Sequence, residues 1–314
     1  MTVVLHPKNA THIVTLDLNN LVWRSSEGLR KFRTSRGDKS GHVYGVLSAL
    51  LSAYNRFYDQ QLAFVVALEG RRPQHRLDLL PEYKQNRGKS NKKQDEVFDV
   101  VNMLSALPVS FAWNKQYEAD DVIASVVKNF PAASHVVVST DHDMFALVND
   151  HVSVLYKKDM MDLGKVEKKL GFPPSLLPFH KALYGDKSDN IPSVKGLRKA
   201  RTWPKIVRAS KDIGWKHKIL ARVYREGIKA LDLELIAERA GIRAELEPCF
   251  EEIRRNHAVV KLQTPNVFLS ASPDLRRADH WLKFWEMRRY KDQLLGMFHT
   301  LNEQPFVDYI GEDS

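Results

Sequence analysis

The chain has 314 residues but only one cysteine, Cys249, and no long apolar stretch. A lone cysteine excludes an intramolecular disulfide and a cysteine-based zinc site, and it fits a reducing cytosol. No apolar run approaches the ~18–20 residues that a membrane span needs, and the N-terminal residues lack the apolar core of a signal peptide. We therefore expect a cytoplasmic protein without a membrane partner.

Negative charge is also scarce relative to positive charge. Lysine and arginine number 48 against 38 aspartates and glutamates, and the resulting net charge of +10 favours a polyanionic partner. Basic residues cluster between residues 71 and 93, around Tyr83 and beside only two acids. They are Arg71, Arg72, Arg76, Lys84, Arg87, Lys89, Lys92 and Lys93. A basic segment with an interleaved aromatic residue is typical of nucleic-acid binding.

Strand and helix patterns alternate in the first half of the chain. Short β-branched runs predict strands at 12–17, 62–69, 108–113, 135–140 and 152–156, and helical periodicity separates them at 41–58, 95–106 and 118–130. This alternation predicts an α/β fold with a mostly parallel central sheet covered on both faces. After about residue 160 the strand pattern fades. We expect an α/β core over 1–160 and a helical half over 161–314, packed as one compact unit. The polar segment 88–93 predicts a loop that orders on binding.

Acidic side chains stand where the predicted strands end. Asp17 closes the first strand, Glu69 closes the second, and Asp141 and Asp143 follow the fourth. Because the carboxyl ends of parallel strands meet at one edge of a sheet, these side chains should gather there. Further acids are Glu118, Asp120 and Asp121, at the start of a helix in YEADDVIA, and Asp186 and Asp189 in YGDKSDNIP.

So many neighbouring carboxylates need counter-charge. Capping explains one acid near a helix N-terminus, not three, and closely spaced carboxylates without a cation would be forced to take up protons. Hard divalent ions such as Mg²⁺, or Mn²⁺ in its place, suit a site made of carboxylate oxygens. Two such ions ~3.5–4 Å apart can activate a water molecule and stabilise the leaving oxygen of a phosphodiester. The acids therefore predict a two-metal site for phosphodiester hydrolysis.

Five motifs together resemble one known family. Asp17 at a strand end, then PEYKQNR, YEADDVIA, STDHDM and YGDKSDNIPSVKG, occur in the order found in the structure-specific 5′-nucleases. This family comprises bacterial and phage flap endonucleases and 5′–3′ exonucleases, related to the 5′-nuclease domain of DNA polymerase I. The resemblance covers residues 12 to about 200. It implies a PIN-like nuclease core, a helical arch at about 70–107 and a helix–three-turn–helix at about 180–210.

The resemblance also implies roles for individual residues. One metal site would lie near Asp17, Glu69, Glu118, Asp120 and Asp141, with Asp121 as a further ligand or behind the ligands, and a second near Asp143, Asp186 and Asp189. Glu69 stands where relatives usually have Asp. Water bound near the first site would be the nucleophile. Lys84 and Arg87 would stabilise the charge of the scissile phosphate, and Arg76 would contact DNA. Tyr83 resembles a stacking platform for a terminal base, with a packed tyrosine as the alternative.

The turn after Asp189 resembles the duplex-binding part of the family. Backbone N–H groups at such a turn bind phosphates, and Lys195, Gly196, Arg198 and Lys199 would make these contacts. Several relatives also hold K⁺ there, but Ser193 and Arg198 stand where relatives often have glycine. The implied partners are branched or 5′-flap DNA and duplex ends, cut by a monomer in a bacterial or phage-infected cell. RNA–DNA hybrid as a substrate, and the balance of endonuclease and exonuclease action, stay open.

Three other functions share part of these features. A haloacid-dehalogenase-type phosphatase also ends its first strand with Asp, but it needs a second Asp where this chain has Asn19. A PIN-type ribonuclease shares the sheet and the acids, and the duplex-gripping helical half argues against it. A non-catalytic protein that binds branched DNA would have lost metal ligands, whereas every expected carboxylate is present here apart from the change to Glu69.

Overall fold

An eight-stranded sheet organises the computed structural model of the chain, which describes residues 6–86, 93–212, 237, 240–300 and 306–311. The strands lie in the order β6-β5-β4-β1-β2-β3-β7-β8. Their bounds are β1 (His12–Asp17), β2 (Leu62–Ala67), β3 (Ser110–Trp113), β4 (Ser134–Val138), β5 (Val152–Tyr156), β6 (Asp159–Met161), β7 (Val267–Ala271) and β8 (Phe306–Ile310). Strands β1 to β5 pair with one another in parallel. Strand β6 extends the sheet at one side, and β7 and β8 extend it at the other, each in antiparallel orientation.

Helices cover both faces of this sheet. The α-helices in the described ranges are α1 (Leu18–Gly28), α2 (Gly41–Phe57), α3 (Gln74–Leu79), α4 (Gln94–Leu104), α5 (Ala119–Asn129), α6 (Leu163–Leu170), α7 (Leu177–Tyr184), α8 (Lys199–Asp212), α9 (Arg243–Leu246), α10 (Phe250–Val260), α11 (Leu275–Phe284) and α12 (Lys291–Thr300). None of these helices is long and apolar enough to cross a membrane.

Two apolar layers hold the sheet between the helices. Successive side chains of a strand point to opposite faces, so Ile13 packs in the layer with α5, α7 and α10, and Val14 packs in the layer with α1, α2 and α4. All six side chains of β2 are buried. A strand buried on both faces reads as a continuous apolar run, which explains why the LAFVVA segment is so easily recognised.

The expected α/β fold with a mostly parallel sheet is confirmed. Each of the five predicted strands and three predicted helices is present, with bounds that differ by at most two residues from those expected. The expectation that strands fade after residue 160 is wrong for β7 and β8, which return to pair beside β3. These two strands form one side of the sheet with β8 at its edge, and Phe268 of β7 is 44% exposed. The division near residue 160 and the arch stay predictions.

The turn region expected to bind duplex DNA lies between α7 and α8. Gly185 and Gly196 have φ values of 75° and 74°, a left-handed conformation that favours glycine. Asp186 and Ile191 form an isolated antiparallel bridge within the turns. Two helices thus flank an irregular segment, while the helix–three-turn–helix itself stays a prediction. The segment 88–93, except Lys93, lies outside the described residues, as does Arg87.

Candidate active site

Asp17 lies at the centre of the acidic edge of the sheet. It ends β1 and caps α1, accepting a hydrogen bond from the Asn20 N–H at 3.3 Å. The Ser139 hydroxyl, just beyond β4, donates to its other oxygen at 2.7 Å. Burial raises the pKa of Asp17 to about 6, and the nearby Asp141 carboxylate shifts it in the same direction. The parallel register of β1 and β4 is what brings these residues together.

Three further acids share this edge with Asp17. Asp141 caps the 3-10 helix His142–Leu147, and Asp120 lies in the first turn of α5. Burial, followed by the charges of Asp17 and Asp141, raises the pKa of Asp120 well above its ordinary value. Glu69 accepts a hydrogen bond from the Ala119 N–H at 2.9 Å. We call Asp17, Glu69, Asp120 and Asp141 the strand-edge acids.

Glu69 combines solvent contact with closely packed surroundings. Its side chain is exposed at the mouth of the site, yet desolvation by the protein atoms around it, together with Glu118 and Asp17, raises its pKa to about 7. Water reaches this carboxylate directly. Glu69 is therefore open to an ion, as expected for the residue in place of Asp.

Glu118 differs from the strand-edge acids because cations already surround it. Its carboxylate accepts hydrogen bonds from Arg76 Nη1 at 2.6 Å, Lys84 Nζ at 2.8 Å and the Tyr83 hydroxyl at 2.9 Å. Burial would raise its pKa, but the charges of Lys84 and Arg76 lower it below the ordinary value. Glu118 thus stays ionised and holds the cations at the site.

Asp121 and Arg76 pair with each other inside the protein. Asp121 is fully buried, and both of its oxygens accept hydrogen bonds from Arg76, at 2.8 and 2.7 Å. The Gln263 N–H also donates to it, at 2.7 Å. Arg76 is only 2% exposed and also donates to Glu118 and to the Lys261 carbonyl oxygen. Asp121 thus lies behind the other acids in an internal ion pair, as one of the two alternatives expected, and contact of Arg76 with DNA stays a prediction.

Tyr83 is likewise inside the protein. It is 3% exposed, its hydroxyl binds Glu118, and the cations of Arg76 and Lys84 lie 5.9 and 5.0 Å from its ring centre. A ring enclosed in this way has no face for a base. The alternative of a packed tyrosine therefore describes this structure, and base stacking by Tyr83 stays a prediction.

Lys84 lies between two acids, Glu118 and Asp189. Its ammonium group lies 2.8 Å from Glu118 Oε1 and 3.8 Å from Asp189 Oδ2, and its backbone N–H donates to the Asp189 carbonyl at 2.9 Å. The residue has a positive φ of 53°, which a lysine adopts at a conformational cost. Desolvation opposes its charge, but Glu118 and Asp189 hold its pKa above the ordinary value. The lysine is thus a fixed cation at the candidate site.

The second group of acids is compact. Asp143, Asp186 and Asp189, which we call the Asp143 cluster, each offer an oxygen within 4.8 Å of the others. In the described part of the chain these are the only three such residues brought so close. The oxygens span little more than the ~4 Å that separates opposite ligands at 2.0–2.1 Å from Mg²⁺. The donor set and its spacing therefore fit a hard divalent ion.

Lys181 joins this cluster and was not anticipated from the sequence. Its ammonium group donates to Asp143 and to Asp186, the latter at 2.6 Å. Burial would raise the pKa of Asp186, but Lys181 and Ser188 hold it down to about 2, whereas burial raises that of Asp143 to about 6 despite the lysine. The available signal was its position three residues before YGDKSDN, because α7 ends at Tyr184, the first residue of that motif.

The predicted DNA-contact residues lie on the turn that follows the Asp143 cluster. Lys195, Gly196 and Arg198 are exposed at the surface. Lys199 begins α8, donates to the Ser193 hydroxyl and lies over the Tyr184 ring at 5.7 Å. The turn therefore presents positive charge outward next to the acids, and its contact with DNA stays a prediction.

Comparison with known proteins shows the family to which the chain belongs. The family model for the 5′-3′ exonuclease, N-terminal resolvase-like domain, matches residues 12–171. The match covers half of the chain, so the chain belongs to this family, as its motifs indicated. Both groups of acids apart from Asp186 and Asp189 lie within the matched range.

Particular relatives agree with this class. DNA polymerase I of Pseudomonas aeruginosa is 34% identical over 190 residues, 59% of this chain and 21% of that protein. The 5′-3′ exonuclease of Buchnera aphidicola is 28% identical over 201 residues, 62% of this chain and 66% of that protein. The chain thus spans a fifth to just under two thirds of these relatives. A flap endonuclease of bacteriophage T5, solved with DNA and metal ions, shares the fold with a TM-score of 0.54 and 20% identity, over 91% of this chain and 99% of that one.

Proposed function

We propose that the protein is a structure-specific 5′ nuclease that uses Mg²⁺ to hydrolyse DNA phosphodiesters at junctions of single strand and duplex. One observation carries the proposal: the ammonium group of the buried Lys84 lies 2.8 Å from Glu118, two residues before Asp120 of the strand-edge acids, and 3.8 Å from Asp189 of the Asp143 cluster. Hydrolysis of a phosphodiester develops negative charge on the phosphate, which bound metal ions and a fixed cation can neutralise. Two groups of oxygen ligands with a cation between them supply both. Mn²⁺ would substitute for Mg²⁺ at such oxygen sites.

In this proposal the acids hold the metal ions, and the basic residues contact the phosphate. The strand-edge acids would hold one ion and the Asp143 cluster the other. When bound, the ions supply an activated water molecule and neutralise the developing charge on the phosphate. Glu118 fixes Lys84 through its 2.8 Å hydrogen bond, so that the ammonium group lies ready for a phosphate oxygen without further ordering. Arg87 is proposed to assist at the same phosphate.

The remaining proposals concern the substrate. The exposed Lys195 and Arg198 and the backbone N–H groups around Gly196 would bind duplex phosphates. The phage flap endonuclease with the same fold was solved with DNA, which supports 5′-flap DNA and duplex ends as partners. We propose action as a monomer in the cytoplasm. K⁺ at the turn is not part of the proposal, because Ser193 and Arg198 depart from the glycine-rich pattern of the relatives that hold it. RNA–DNA hybrid enters only as a secondary substrate to be tested.

A PIN-type ribonuclease and a non-catalytic DNA-binding protein are the alternatives. A cleavage assay on a 5′-labelled flap duplex, run with Mg²⁺ and with EDTA, distinguishes the proposed nuclease from both alternatives. A blunt duplex, a free single strand and a duplex with an RNA flap are tested beside it. We expect metal-dependent cuts at the DNA junction. Cutting confined to RNA would favour the ribonuclease, and junction binding without cutting in Mg²⁺ or Mn²⁺ would favour the binding protein.

A further inference from the structure

Lys181 lies where a divalent ion would be held. Its ammonium group donates to Asp143 and to Asp186 Oδ2, two of the three carboxylates of the Asp143 cluster. The other oxygen of Asp186 already accepts hydrogen bonds from the Ser188 N–H at 2.8 Å and the Ser188 hydroxyl at 2.6 Å. Lys181 and Ser188 therefore engage both oxygens of Asp186, and Lys181 also engages one oxygen of Asp143.

The lysine and the ion need the same oxygens. Metal coordination requires deprotonated carboxylates that point at the ion, and the hydrogen bonds of Lys181 point Asp143 and Asp186 at the ammonium group instead. Even a displaced ammonium group stays near, because α7 fixes its backbone one turn before Gly185. Two positive charges a few ångströms apart in a partly buried site repel strongly.

We propose that Lys181 is an internal competitor for the divalent ion of the Asp143 cluster. This inference rests on the proposed function. The lysine pairs the carboxylates while no ion is bound, so the fold does not depend on metal. Lys181 also weakens binding of the metal ion, because an ion must break the hydrogen bonds of this lysine to reach all three acids. A weakly held ion at this cluster would arrive and leave with the substrate.

Replacing Lys181 by methionine tests the inference, because methionine has a similar length and no charge. The control is Lys187→Met, which removes the same charge from an exposed lysine directly after Asp186. Mn²⁺ binding is followed by calorimetry and by electron paramagnetic resonance of the free ion, and melting temperature is measured with and without Mn²⁺. Lys181→Gln, which is polar and uncharged, serves as a second variant should the methionine variant not fold.

We expect K181M to bind one Mn²⁺ with a dissociation constant about tenfold lower than wild type, or lower still. Its metal-free form should melt at a lower temperature, and Mn²⁺ should restore most of the loss. K187M should match wild type in both measurements. Equal or weaker Mn²⁺ binding by K181M would overturn the inference alone. No binding by wild type and by every variant would overturn the proposed metal site as well.

Discussion

Replacing Arg76 by methionine removes a cation that is enclosed by its own partners. The guanidinium group makes four hydrogen bonds, to Glu118, twice to Asp121, and to the Lys261 carbonyl, and Asp121 has no exposed surface. Breaking a buried ion pair by removing one partner costs about 3–5 kcal/mol, because the other charge is left unpaired. A domain has only about 5–15 kcal/mol of stability. We therefore expect the variant to lose a large fraction of it.

The assay is equilibrium unfolding in urea, followed by circular dichroism. Arg71→Ala, at an exposed position near α3, is the matched control and should change the unfolding free energy by no more than about 0.5 kcal/mol. Adding Asp121→Asn to the Arg76 variant removes the unpaired charge, so the double variant should recover part of the loss. A stable Arg76→Met protein with reduced DNA affinity would refute this reasoning and restore Arg76 as a DNA contact.

Three further predictions concern the site. Asp141→Asn should abolish flap cleavage but leave junction binding intact. Asp150→Asn, which changes an exposed acid outside the site, is the control. Cleavage retained by the Asp141 variant in Mg²⁺ would contradict the assignment. Lys84→Ala should slow single-turnover cleavage far more than it weakens binding, and a pure loss of affinity would argue against its role at the phosphate. Asp17 has a folded-state pKa of about 6 against an ordinary 3.8, so metal-free stability should fall as pH rises through this window. Asp17→Asn should flatten that slope in pH-dependent melting, and an unchanged slope would show that Asp17 is not its source.

The elements predicted from sequence are those whose pattern is local. β1 and β2 are buried on both faces; β2 is an uninterrupted apolar run, and β1 is rich in β-branched and apolar residues. The strand-edge acids followed from the same logic, since a strand end fixes where its last side chain lies. β7 and β8 escaped prediction because they are not continuous apolar runs, and because the pairing of β7 with β3 joins parts of the chain far apart in sequence.

The burial of Arg76 and Tyr83 depends on contacts that no local pattern contains. Both residues occur in a basic segment typical of a nucleic-acid surface. The Lys261 carbonyl and the Gln263 N–H, after α10, close over the Arg76–Asp121 pair, whereas Tyr83 packs with Leu80, Ile191 and Val259. Lys181 was missed for the opposite reason. It lies outside the recognised motif, and one of its two partners, Asp143, is 38 residues away along the chain.

The pairing of β7 with β3 has a consequence for dividing the protein into parts. The family match ends at residue 171, which suggests a natural place to cut. A fragment ending there would lack β7 and leave Phe111, Ala112 and Trp113 on an open edge of the sheet, without their partners Ser270, Leu269 and Phe268. An unpaired apolar edge strand recruits other chains. The nuclease core is therefore completed by its C-terminal strands, and a shorter piece would be expected to aggregate before it could be assayed.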